Sequence, residues 1–172
     1  MMNKAFEVIE AHWLFDLRPE QIDVVIHPQS IVHSMVEFVD GSIMAQLGVP
    51  DMRVPILYCL GWPERTPFDF SPFDPMRFQT LEFAPVEAER YPAIGLAYDV
   101  LRRGGDSGAV LNAADEVLTE LFLEGRIGFP AITQTVARVL DSHEPHDVRT
   151  LDDVLADAWA RRAARTAAGV AA

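Results

Sequence analysis

The stretch Ile31-Val32-His33-Ser34-Met35-Val36-Glu37-Phe38-Val39-Asp40-Gly41-Ser42-Ile43-Met44-Ala45-Gln46-Leu47 decides the fold class, because it holds the strongest strand signal in the chain. Two runs rich in β-branched and aromatic residues flank Asp-Gly, and that dipeptide supplies the positive φ angles of a tight hairpin turn. The expectation is a hairpin with strands over Ile31 to Val39 and Ser42 to Leu47, with Asp40 and Gly41 both at positive φ. Strict alternation then places Val32, Val36 and Phe38 on one face and Ile31, His33, Met35 and Glu37 on the other. Both faces are substantially apolar. Each needs a cover, helices on one and a second subunit on the other.

Upstream of the hairpin, Ile22-Asp23-Val24-Val25-Ile26 reads as a short strand ending at His27-Pro28. Before it, Phe6, Ile9 and Trp13 recur at helical spacing, so Asn3 to Phe15 is expected to be a helix, broken by Asp16 to Gln21 with Pro19. This pattern begins directly after Met1 with no cap or approach segment, which raises the expectation of a missing upstream portion. Downstream, Val54 to Leu60 reads as a short apolar helix. The stretch from Trp62 to Pro92 then holds six of the 12 prolines, which exclude a long helix or a central strand. An extended connector is expected there, pinned by Phe68, Phe70, Phe73 and Phe78, with Thr80 to Phe83 as its strand-like piece.

From Ile94 onward the period is helical. Ile94, Tyr98 and Leu101 form a first stripe that stops at Gly104-Gly105, and Val110, Ala114, Val117, Leu118, Leu121 and Phe122 form a second that stops at Gly125. Pro130 opens a third with Ile132, Val136, Val139 and Leu140; Thr150-Leu151-Asp152-Asp153 opens a fourth like a capping box, followed by Val154, Leu155, Ala158 and Trp159. The expected fold is therefore α+β: a helix plus a small mixed sheet with a hairpin over 1–61, a Pro-rich connector over 62–92, and a four-helix bundle over 93–172.

Fourteen Lys and Arg against 26 Asp and Glu leave a net charge of −12 on 172 residues, with no basic stripe. That excludes a nucleic-acid footprint and an anionic membrane surface as partners. A hydrophobic content of 49% excludes a disordered acidic tail. No apolar run reaches the ~20 residues of a membrane span. The single cysteine, Cys59, lies in the apolar run Ile56 to Leu60, where it reads as core packing, and its solitude suits a cytoplasmic setting.

The first helix carries the most informative chemistry. Asn3, Lys4 and Glu7 are three and four residues apart, so an amide, an ammonium and a carboxylate share one face beside a helix N-terminus that favours anions. The same spacing also describes a solvated face with one Lys–Glu pair worth ~0.3 kcal/mol. His33 alternates with Ile31 and Met35 and reads more readily as a hydrogen-bonded core histidine than as a ligand. His143-Glu144-Pro145-His146 looks metal-like, but its polar surroundings read as a solvated inter-helix connector. Gly104-Gly105-Asp106-Ser107-Gly108 reads as a C-cap followed by an N-cap, and no glycine-rich turn follows a strand as a dinucleotide site requires.

Several blocks go beyond spacing. Met1-Met2-Asn3-Lys4-Ala5-Phe6-Glu7, Ile26-His27-Pro28-Gln29-Ser30-Ile31-Val32-His33-Ser34-Met35-Val36, Ala45-Gln46-Leu47-Gly48 and Pro50-Asp51-Met52-Arg53-Val54-Pro55-Ile56 closely resemble the 1-deoxy-D-xylulose 5-phosphate reductoisomerase family. So do Arg90-Tyr91-Pro92, Leu111-Asn112-Ala113-Ala114-Asp115-Glu116 and Leu151-Asp152-Asp153-Val154-Leu155. The resemblance implies an enzyme of non-mevalonate isoprenoid synthesis that uses Mn²⁺, Mg²⁺ or Co²⁺ and NADPH to rearrange and reduce a small phosphorylated sugar to 2-C-methyl-D-erythritol 4-phosphate. It implies substrate-binding roles for Asn3, Lys4, Glu7 and Met52, catalytic roles for Glu7 and His33, and metal ligation by Glu7. It also implies a homodimer. The family's NADPH domain, its other metal carboxylates and its mobile flap lie upstream of the match to Met1, so this chain alone is expected to be inactive. A non-catalytic acidic assembly module derived from that enzyme is the alternative.

Overall fold

The computed structural model describes residues 1–70, 74–150 and 156–170. The capping box at Thr150 to Asp153, together with Val154, Leu155 and Phe73, falls wholly or mostly outside them. Among the described residues, six α-helices and two short antiparallel strand pairs make the α+β fold expected from the sequence. In chain order they are α1 (Met2–Phe15), β1 (Val25–Ile26), β2 (Val32–Glu37), β3 (Ile43–Leu47), α2 (Arg53–Gly61), β4 (Ala84–Pro85), α3 (Pro92–Arg103), α4 (Ser107–Leu123), α5 (Phe129–Asp141) and α6 (Ala156–Ala167).

These elements form two compact units that do not follow the linear order of the sequence. Met1–Asp23 joins Glu87–Ala172 in one, and Val24–Val86 makes the other. In the first unit α4 is the central helix, with Val110, Leu111, Ala114, Val117, Leu118 and Leu121 all at most 1% exposed. It packs against α5 through Val136, Val139 and Leu140 and against α6 through Ala160 and Ala164, whose small side chains let the helices approach closely. α1 packs on α3, and Met2, Phe6 and Ile9 extend the same core, so the first helix belongs with the C-terminal helices. Beyond α1, the Tyr98 hydroxyl on α3 donates to the Ile22 carbonyl at 2.7 Å and ties down the returning chain.

The helix ends follow the sequence chemistry. Pro92 and Pro130 sit in the first turns of α3 and α5, where a missing N–H costs nothing. Gly104 at φ 70° ends α3, and Gly125 at φ 72° follows α4. Asp16 closes α1 in the left-handed conformation at φ 53°.

In the second unit β2 and β3 form the hairpin, but its turn differs from expectation. The Phe38 N–H donates to the Ser42 carbonyl and the Gly41 N–H to the Phe38 carbonyl, both at 2.9 Å, so the loop is Val39-Asp40-Gly41 and only Gly41, at φ 80°, is left-handed. Asp40 instead keeps negative φ and accepts from both the backbone N–H and the hydroxyl of Ser42. This is a three-residue loop with a glycine bulge.

A second bulge lies inside the hairpin. Val32 opposes Leu47 and Ser34 opposes Gln46, so two residues of β2 match one of β3 and His33 is the extra one. The phase of the strand shifts there. Val32 shares a face with Met35 and Glu37, not with Val36 as strict alternation required. Nor is the sheet mixed: both pairs, β1 with β4 and β2 with β3, are antiparallel and separate.

The strand expected at Thr80 to Phe83 forms instead at Ala84–Pro85. Side chains from the β1 turn occupy the earlier residues: His27 Nδ1–H donates to the Glu82 carbonyl at 2.8 Å, its ring stacks on Phe83 at 4.6 Å, and Gln29 exchanges two hydrogen bonds with Glu82. Cys59, expected in a core, is exposed, as α2 buries none of its residues. No helix among the described residues is long and apolar enough to cross a membrane.

Candidate active site

The first two turns of α1 present Asn3, Lys4 and Glu7 together. Lys4 Nζ meets Glu7 Oε2 at 2.5 Å, with both side chains about half exposed. Such a surface pair contributes under ~1 kcal/mol to stability. Beside it lies an open pocket of about 470 Å³, lined by Asn3, Phe6, Glu7, Ile9, Glu10 and Asn112. The apolar Phe6 and Ile9 form its floor as part of the core surface. The rim carries two amides and two carboxylates. Lys4 reaches this rim only through Glu7.

Asn112 is the residue that spacing did not single out. On α4 it is exposed while Leu111, Ala113 and Ala114 beside it are fully buried, so the fold spends a solvent-facing position of its central helix on an amide aimed at the α1 pocket. The signal was its place in the quoted block Leu111 to Glu116, not any periodicity. One turn further along α4, burial pushes the Asp115 carboxyl above the usual carboxylate range, partly offset by the ammonium of Met1.

The pocket's donors suit a hard cation in part. Carboxylate and amide oxygens are what Mg²⁺ and Mn²⁺ take, and Glu7 with Glu10 supplies negative charge at the rim. A complete octahedral set needs further oxygens beyond these. A phosphate suits the opposite, positive character of Lys4, the Asn3 amide and the free N–H groups of the first helical turn.

The other two candidate residues lie in the second unit. His33 is exposed at the bulge in β2, not buried in a core, and its Nε2 lies beside Gly48, 3.9 Å from where a Cβ would stand. A bulge re-aims a side chain that regular pleating would point elsewhere. Met52 is 72% exposed at the start of α2. Its neighbours fix the turn: Arg53 forms a two-pronged pair with Asp51, whose carboxyl the guanidinium and backbone N–H of Arg53 lower to about 2. The Arg53 guanidinium then lies over Phe68 and Phe70, 5.4 and 5.8 Å from the ring centroids.

The connector after α5 is exposed over residues 144–150 as expected, but His143 turns inward. The His143 side chain is 6% exposed and its Nε2 lies 2.7 Å from Oδ1 of Asp106, itself buried. The His146 N–H donates to the same oxygen at 3.0 Å. Burial of Asp106 works against its ionisation, but these two donors outweigh it and hold the carboxyl below its ordinary range.

Residues 47–163 match the DXP reductoisomerase C-terminal domain. The chain is 54% identical over 171 residues to the 1-deoxy-D-xylulose 5-phosphate reductoisomerase of Geobacter metallireducens and 51% identical over 170 residues to that of Chlorobaculum tepidum. In both cases it spans 44% of the relative's length. The Zymomonas mobilis reductoisomerase in complex with NADPH superimposes with a TM-score of 0.90 at 41% identity, covering 98% of this chain and 45% of that one. A DOX-P reductoisomerase in complex with NADPH, fosmidomycin and magnesium gives 0.87 at 37% identity, with 98% and 44% covered.

Proposed function

Because this chain belongs to the 1-deoxy-D-xylulose 5-phosphate reductoisomerase family, we propose that it supplies the α1 face of that enzyme's active site, with Glu7 as metal and substrate ligand. The observation that carries this reading is the rim of the α1 pocket, where Asn3, Glu7, Glu10 and Asn112 converge with Lys4 at Glu7. A divalent cation held at Glu7 supplies Lewis acidity toward the substrate's oxygens. Lys4 and Asn3 hold the phosphate end by charge and by amide hydrogen bonds, and Phe6 and Ile9 keep that side of the pocket dry. The family resemblance gives His33, on its bulge in β2, a catalytic role and Met52, at the start of α2, a substrate-binding role. The substrate is a small phosphorylated sugar, 1-deoxy-D-xylulose 5-phosphate, and the reductant is NADPH, bound by the part of the enzyme that lies outside this chain's match.

The hairpin supports assembly as a homodimer. Val36, Phe38, Ile43 and Met44 are between 47% and 66% exposed, more apolar surface than a solvated hairpin needs. The single thiol, exposed and unpaired, fits a cytoplasmic setting. The test is NADPH oxidation with 1-deoxy-D-xylulose 5-phosphate and Mn²⁺: this chain alone gives no turnover, and the chain joined to the N-terminal remainder of a relative does. Turnover by the 172-residue chain alone overturns the reading.

A further inference from the structure

Among the described residues, one cluster brings three metal-ligating side chains together: one ligand atom each from Asp106, His143 and His146, all within 4.8 Å of one another. We propose that these three residues form a zinc-type divalent-cation site that pins the segment after α5 to the start of α4.

The donor set and its geometry both carry this. Two imidazoles with one carboxylate suit Zn²⁺, whereas Mg²⁺ prefers an all-oxygen shell. His146 Nδ1 stands 3.7 Å from Asp106 Oδ2, too long for a hydrogen bond and close to the ~3.3 Å that separates two ligands of one tetrahedral zinc. His143 Nε2 and Asp106 Oδ1, now 2.7 Å apart, need to open by only about half an ångström as the ion replaces the shared proton.

The backbone already holds the ligands in place. Asp106 N–H donates to the His146 carbonyl at 3.1 Å while His146 N–H donates back to the Asp106 carboxylate, which locks the two residues in a reciprocal pair. Gly105 lies so close beneath that a Cβ there would stand 2.4 Å from the His146 oxygen. Two ligands are almost fully buried, at 3% and 6% exposure, and the His146 side chain at 72% leaves an entry path and a fourth position for water. The ring of Trp159 on α6 lies 5.2 Å from that of His143 and covers the apolar side.

The experiment uses the full chain carrying Glu7→Gln, which removes the proposed α1 ligand, titrated with Zn²⁺ alone by calorimetry and followed by thermal unfolding. The expected result is one equivalent bound and a raised Tm, with His146→Ala lowering the affinity by roughly 100-fold and removing the rise. His146 is exposed, so its substitution leaves the helices intact. Asp106→Asn is the second variant and loses binding in the same way. Equal Zn²⁺ affinity with and without His146, or no binding by the parent chain, overturns the proposal.

Discussion

Asp106 shows how one buried carboxylate organises a loop. It receives the His143 imidazole and the His146 N–H, and Asp106→Asn leaves that buried imidazole and N–H facing a neutral amide. The expected loss is about 1–3 kcal/mol in urea unfolding at neutral pH. Because the folded-state pKa is depressed, this contribution is complete above the unfolded value near ~3.9 and is lost as the pH falls through the lower, folded one. The difference between Asp106→Asn and the parent therefore shrinks as unfolding is repeated from about pH 6 to about pH 3. A gap that stays constant over that window would show that the carboxylate's charge is immaterial. At this scale the sequence was partly legible. Helical spacing placed Asn3, Lys4 and Glu7 on one face, and only the family resemblance gave them roles, whereas the pairing of His143 with Asp106 joins residues 37 apart in sequence, beyond the reach of any local pattern.

Among the elements, helices were readable and strand details were not. The stripes of α4 and α5 fall where their apolar period placed them, because burial against a common core enforces a 3.6-residue repeat, whereas on α1 Ala5 and Val8 are buried, Phe6 and Ile9 are half-buried and Trp13, expected in the stripe, is 73% exposed. The hairpin was recognised from Asp40-Gly41, yet the bulge at His33 and the three-residue loop depend on cross-strand register, which a single strand does not encode. The connector's strand moved to Ala84–Pro85 because His27 and Gln29 bind Glu82 and Phe83 from 55 and 53 residues away. The two glycines between α3 and α4 offer a contrast that tests this level. Gly104→Ala, with nothing within 4 Å of the added Cβ, costs about 1–3 kcal/mol, because φ 70° with ψ −157° is a backbone conformation that essentially only glycine adopts. Gly105→Ala costs more, about 3–5 kcal/mol, because the left-handed φ of 54° adds to a Cβ that meets the His146 carbonyl, an obstacle of backbone. Urea midpoints in the opposite order would contradict the placement of the 143–147 segment.

For the whole molecule, composition bounded the class and the two-unit division did not follow from it. Nothing local says that α1 packs with α3, some 90 residues away; a covered apolar stripe looks the same whichever helix covers it. The exposed hairpin predicts association: light scattering at micromolar concentration gives a mass near twice 19.2 kDa, and Val36→Glu with Met44→Lys shifts it toward the monomer. A clean monomer before substitution would remove the dimer from the account. The most direct test of the central assignment is steady-state NADPH oxidation by the chain joined to the N-terminal remainder of a relative, with and without Glu7→Gln. The account predicts that Glu7→Gln lowers kcat by roughly 100-fold or more while leaving the Tm close to the parent's, since Glu7 is exposed and adds little stability. A Glu7→Gln enzyme with the parent's kcat would contradict it.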